Sequence, residues 1–295
     1  MVIDAHLHLY APEVSLDPRA WARAHGESWW MKCVAPQDRP SLQGWAGIDH
    51  LLRDMDAAGI DHAVLLGWYW ENQATADLQI DWFTRWIRTY PDRLSAFVPV
   101  VPSRNGNGLE KTRRALDSGF RGIGELLPQI QGFTFKDEDF AALMALAREY
   151  QVPTNLHVTD PVAAVRSSVQ VPTPLEDFVQ LFADFPENVF VLAHWGGGLP
   201  FHELTRGSGA LFRNVYYDTA ASSLVYDSRI FRRVCDVIGS DRVLFGTDYP
   251  LLTHPRLSKE PGFILDLKDA RASGLSESEL HQVLGGNARR LLRLP

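Results

Sequence analysis

Short apolar runs alternate along this chain with stretches whose apolar residues recur every three or four positions. The runs fall at residues 2–9, 63–68, 94–101, 120–127, 154–158, 189–193, 215–217 and 243–245. Each has the length of a strand buried on both faces. The stretches between them read as amphipathic helices at 48–58, 78–90, 109–118, 140–150, 175–185, 228–238 and 277–292. In the first of these Leu51, Leu52, Met55 and Ala58 share one face. Gly59 and Gly119 stand where a helix ends before a strand begins, and Ser276 stands where the last helix would start.

Strands alternating with helices imply a parallel sheet, and eight is the number that closes into a barrel. An open doubly wound sheet would place a glycine-rich phosphate loop after the first strand. Leu9-Tyr10-Ala11-Pro12 follows instead. The expected fold is therefore of the α/β class: a single (β/α)₈ TIM barrel over residues 1–295, with one long insertion after the first strand. The insertion, residues 10–47, carries Trp21, Trp29, Trp30 and Trp45. Loops after barrel strands lie on the active-site face, so these rings either form a satellite core or cover the site.

Composition narrows the classes. The chain has 295 residues, 45% hydrophobic and 22% charged, enough for a packed core. A formal charge of −7 argues against non-specific nucleic-acid binding. No apolar run approaches the ~20 residues of a membrane span. The start, Met1 to His6, lacks the basic n-region of a signal peptide. Cys33 and Cys235 are the only cysteines, too few for a disulfide framework. These features lead to the expectation of a cytoplasmic protein that binds neither nucleic acid nor membrane. The tryptophan-rich insertion offers a patch for a homo-oligomer.

His6 and His8 are one residue apart on the first strand. Side chains two apart share a face, so both imidazoles can reach one metal ion. Such a pair is weak evidence by itself. It gains weight because His157, His194 and Asp248 end the fifth, sixth and eighth strand candidates, where barrel active sites form. Trp68 and Trp195 follow strand ends and suit an aromatic wall for a small-molecule substrate. Arg104 follows the third strand and suits a substrate carboxylate.

On these residues the chain resembles the amidohydrolase superfamily, and more narrowly the amidohydrolase-2 family, which includes lactonases and decarboxylases. The resemblance rests on Ile3-Asp4-Ala5-His6-Leu7-His8, the His157 and His194 strand ends, Gly196-Gly197-Gly198-Leu199-Pro200-Phe201, Leu244-Phe245-Gly246-Thr247-Asp248-Tyr249-Pro250 and Gly286-Asn287-Ala288-Arg289-Arg290-Leu291. It implies that His6, His8 and His157 ligate a divalent metal. Asp248 would act as ligand, general base or both, and His194 would bind a second metal or polarise and protonate the substrate. Glu125, ending the fourth strand candidate, resembles the acid that bridges two metals in some members.

Zn²⁺ is the default ion for this donor set, with Mn²⁺ as the alternative and one or two ions as the stoichiometry. A bound divalent cation lowers the pKa of its water toward ~7. The leading expectation is accordingly hydrolysis of a small cyclic ester or amide, most plausibly a lactone. The rival is non-oxidative decarboxylation of a carboxylated ring or dienoate, and the third is a barrel that binds a ligand without catalysis.

Overall fold

The computed structural model describes residues 1–103, 107–166 and 169–294. Eight strands form one parallel sheet: β1 Ile3–Leu7, β2 His62–Leu65, β3 Leu94–Val98, β4 Gly122–Leu126, β5 Thr154–Leu156, β6 Phe190–Leu192, β7 Val215–Asp218 and β8 Val243–Leu244. They pair in chain order, each with the next. The segment leaving β8 returns to β1: Ala5 N–H donates to Phe245 O (2.7 Å), Asp248 N–H to His6 O (2.9 Å) and His8 N–H to Tyr249 O (2.7 Å). The eight strands and their intervening helices make the expected (β/α)₈ barrel. Nearly every strand residue is buried, which is why the strands read as apolar runs without alternation.

The helices follow from the same pattern. Helix Ile48–Ala58 ends at Gly59 with φ 71°, its N–H closing onto Met55 and Asp56 carbonyls. Ser276 and Glu279 make a reciprocal capping box at the start of Glu277–His281. The expected single helix over 277–292 is interrupted by a wide turn at Gln282–Gly286. That turn releases the Val283 carbonyl to Phe245 N–H (3.0 Å) at the end of β8. It also brings Gly285 so close to the chain's first residue that a Cβ there would lie 2.4 Å from Met1 O. Beyond the turn, Ala288 and Leu292 of helix Asn287–Leu292 pack in one cluster with Ile3, Ala5 and Leu244.

The first part of the insertion folds into three short helices, Pro12–Leu16, Pro18–His25 and Ser28–Val34. Trp21 and Trp30 are buried against Tyr10 and Trp70 within the main core, with ring centroids 5.4–6.1 Å apart. Two carboxylates tie the insertion to the loop after β2. Glu27 accepts from Glu71 N (2.9 Å) and Asn72 N (3.2 Å), and Glu71 accepts from Trp29 N (2.6 Å). Among the described residues no helix is long and apolar enough to cross a membrane.

Candidate metal centre

Strand β1 alternates Ile3, Ala5 and Leu7 with Asp4 and His6, and His8 continues the second face. The Nε2 atoms of His6 and His8 lie 3.3 Å apart. His8 Nδ1 faces the Leu66 carbonyl at 3.1 Å. A carbonyl only accepts, so the His8 proton sits on Nδ1 and Nε2 carries a lone pair. His6 Nδ1 donates to Asp218 Oδ2 at 2.8 Å, which fixes its tautomer in the same way. Asp248 Oδ1 completes the group, 3.5 Å from His8 Nε2 and 3.9 Å from His6 Nε2. Its backbone takes a left-handed φ of 68°. Neighbouring Thr247 donates its hydroxyl to Asp4 Oδ2 (2.6 Å). Gly246 is required beside them, since a Cβ there would lie 2.7 Å from that of His6.

Glu125, at the end of β4, faces both sides of the centre. Its N–H donates to Gly67 O (2.7 Å), and Gly67 N–H donates to Gly124 O (2.9 Å), pinning it against the end of β2. Gly124 has φ 123°, and a Cβ there would lie 2.4 Å from Asn155 O. Oε2 lies 3.5 Å from His8 Nε2 and 3.9 Å from His6 Nε2. Oε1 lies 2.9 Å from His157 Nδ1 and 3.8 Å from His194 Nε2. His157 Nδ1 and His194 Nε2 are 3.3 Å apart. His194 Nδ1 donates to Ala220 O (3.0 Å), so Nε2 again presents a lone pair. After His194 the backbone runs left-handed through Trp195 and Gly196-Gly197-Gly198, which explains the triple glycine.

Two groups of three able to hold a metal ion therefore lie side by side among the described residues: His6, His8 and Asp248, and Glu125, His157 and His194. Donors about 2.1 Å from one ion stand roughly 3.3 Å apart, the spacing of the two imidazole pairs. Lone pairs and carboxylate oxygens converge here, an arrangement that repels itself unless a positive charge lies among them.

The electrostatics of the buried groups agree. Burial alone would lower the pKa of His6, but Asp218 and then Glu125 and Asp248 raise it to about 10. The metal-free centre thus draws a second proton to the place where a cation would sit. Burial raises Glu125, yet His157 and then the other imidazoles hold it well below the usual carboxylate range. Burial, and then His157, lower His194.

Asp218 went unrecognised in the strand pattern, where the seventh run ends at Tyr217. It ends β7 fully buried and accepts from Asn155 Nδ2 (3.1 Å), His194 N (3.1 Å) and Ala220 N (3.1 Å) besides His6. Its strand-end position was the available signal.

A cavity of about 270 Å³ opens above the centre, bordered by His8, Glu125, His157, His194 and Asp248. Trp68 and Tyr69 stack at 4.3 Å and form part of its wall, with Trp29 and Arg39 from the insertion above them. The tryptophans of the insertion form no satellite core: Trp21 and Trp30 join the main core, and Trp29 borders the cavity. Trp195 does not meet the expectation of a substrate wall. It is fully buried, donates Nε1–H to Ser222 (2.8 Å) and packs edge-on against Phe231, because the left-handed turn after His194 aims it away. Arg104 lies outside the described residues.

The amidohydrolase family model matches residues 3–294, and the chain belongs to that family. A 2-keto-4-carboxy-3-hexenedioate hydratase from Sphingobium is 28% identical over 163 residues, which are 48% of this chain and 47% of the relative; the match thus spans about half of that protein's length. Among solved structures, the 5-carboxyvanillate decarboxylase of Sphingomonas paucimobilis superposes with a TM-score of 0.76 at 18% identity, over 100% of this chain and 99% of that one. The 5-carboxyvanillate decarboxylase of Novosphingobium aromaticivorans, complexed with manganese and 4-hydroxy-3-methoxy-5-nitrobenzoic acid, gives 0.74 at 18% identity, over 100% and 96%.

Proposed function

We propose that this amidohydrolase is a metal-dependent lyase that removes CO₂ from a small carboxylated ring or dienoate. The observation that carries the reading is a set of imidazole and carboxylate donors at the floor of a cavity walled by flat aromatic side chains. Its similarity to a hydratase and to decarboxylases, all named for small carboxylated compounds, favours this over lactone hydrolysis.

His6, His8 and Asp248 would hold the cation, with Glu125 as a further donor. When bound, it supplies a fixed positive charge that orients and polarises substrate oxygens. Manganese is favoured by the decarboxylase complex, and zinc by the histidine-rich donors. Trp68, stacked on Tyr69 at the cavity wall, would lie against a face of the substrate. As the carbon–carbon bond breaks, its electron pair stays on the ring carbon and CO₂ leaves. Asp248, through the carboxylate oxygen not turned to the cation, would take a proton from solvent and pass it to that carbon, so that the carboxylate and one proton become CO₂ and a C–H bond. His194, neutral because its pKa is lowered, accepts a hydrogen bond from a substrate hydroxyl at Nε2.

A second reading, lactone hydrolysis, has one observation in its favour: Glu125 offers one oxygen to each donor group, a layout suited to a pair of ions about 3.5–4 Å apart. Metal-loaded enzyme incubated with hydroxybenzoates, unsaturated dicarboxylates and lactones separates the readings. CO₂ release supports the proposal. Acid release without CO₂ from a lactone overturns it in favour of hydrolysis, and water addition without either overturns it in favour of a hydratase.

A further inference from the structure

Among the described residues, three tyrosines beneath the surface donate to carboxylates, whereas Tyr10 and Tyr69 do not. Tyr217 donates to Glu203 (2.8 Å), Tyr249 to Asp54 (2.8 Å) and Tyr226 to Asp160 (2.9 Å). Tyr10 is shut inside the tryptophan cluster with its hydroxyl unpartnered and no access to the cavity. Tyr69 is the other of the two. It is 6% exposed, its hydroxyl has no hydrogen-bond partner among the described residues, and it borders the cavity over the metal centre. Its ring is fixed on two sides, by Trp68 at 4.3 Å and His157 at 5.3 Å. Its place beside Glu125 is set by the paired Gly67–Gly124 and Glu125–Gly67 backbone bonds two residues earlier. The Tyr10 hydroxyl is a buried polar atom without a partner and the Tyr69 hydroxyl is not, so Tyr69 keeps an accessible donor on a fixed ring at the cavity, an arrangement suited to a ligand.

We infer that Tyr69 is a specificity-determining residue whose hydroxyl donates a hydrogen bond to an oxygen of the substrate held over the metal centre. The substrate class is then narrowed to acids carrying an accepting oxygen, carboxylate, carbonyl or phenolic, on the side facing the Trp68–Tyr69 wall. Burial, followed by the nearby Cys33, Glu125 and Asp248, keeps the phenol well above its usual range, so it remains a neutral donor. The inference rests on the proposed reaction on a carboxylated ring.

The test compares wild type and Tyr69→Phe, both loaded with Mn²⁺, with 2-hydroxybenzoate as the probe in titration calorimetry. The variant should keep its metal content and bind the probe about tenfold more weakly, the loss of one hydrogen bond. Its melting temperature without probe should be unchanged, since the hydroxyl makes no hydrogen bond to the described residues. Equal probe affinity overturns the inference. So does a melting temperature lowered by more than about 3 °C, or failure to fold, because either shows that the hydroxyl serves the fold. If metal-loaded wild type does not bind 2-hydroxybenzoate, the carboxylated-ring reading itself fails, and the role of Tyr69 falls with it.

Discussion

His6 and His8 on one side of Glu125, and His157 and His194 on the other, are four imidazoles in one cluster, yet they are held differently. Both rings of the first pair are tied through their outer nitrogens, to Asp218 and to the Leu66 carbonyl, and their side chains are 0% and 5% exposed. In the second pair only His194 is tied in this way. His157 Nε2 has no hydrogen-bond partner among the described residues, and the two side chains are 14% and 12% exposed. A pair locked through both outer nitrogens suits a resident ion, and a more exposed, less anchored pair suits exchange with substrate. The difference teaches that donor chemistry alone does not assign roles; the anchoring of each ring does.

Several measurements can break that contrast. Replacing His6 with Ala should abolish metal retention and lower kcat/KM at least about a thousandfold, read by metal analysis and turnover together. Replacing His194 with Gln should cost about a hundredfold in kcat while the ion at His6 and His8 stays bound; loss of all metal would show that the two pairs are not distinct. Asp218→Asn, which weakens the bond behind His6 while keeping an oxygen for His194 N and Ala220 N, should lower metal affinity by about 10–100-fold, read by metal titration.

The smallest effect is graded. His6 in the metal-free protein has its pKa raised to about 10, so at pH 8 it must release a proton to bind an ion. Metal affinity should therefore fall by about tenfold for each pH unit of acidification below 10, seen as proton release in calorimetry. For folding of the metal-free chain the sign is opposite. The stabilisation from charged His6 is fully present below 6.5 and is lost as pH rises through about 10, which melting after chelation would detect.

Much of this architecture was legible in the hydrophobic pattern because barrel strands are buried on both faces and their ends are where polar residues interrupt the run. His6, His8, Glu125, His157, His194 and Asp248 all stand at such interruptions, and the structure brings them together. Asp218 obeys the same rule; the seventh run was read as ending at Tyr217, one residue before it, whereas β7 extends to Asp218. The helices of the insertion were illegible for another reason: at 5–8 residues each, two with Pro at the first turn, they are too short to show a period. Helix Ile264–Arg271 was hidden because it buries Asp266 along with Leu267 and Ala270, which blurs its apolar face. Trp195 shows where adjacency misleads, since a left-handed backbone sends neighbouring side chains in unrelated directions.

The seam between β1 and the segment after β8 has a consequence for assembly. Its two sides carry His6 and His8 on one, Asp248 on the other, and it joins the first strand of the chain to the last. An ion shared across it would act as a removable cross-link between residues 6–8 and 248, and its stabilising effect would include the chain entropy withheld from the unfolded state. A chain still emerging from the ribosome could not form the His6–His8–Asp248 group until its eighth strand had docked, so loading of that group would report that the barrel is complete.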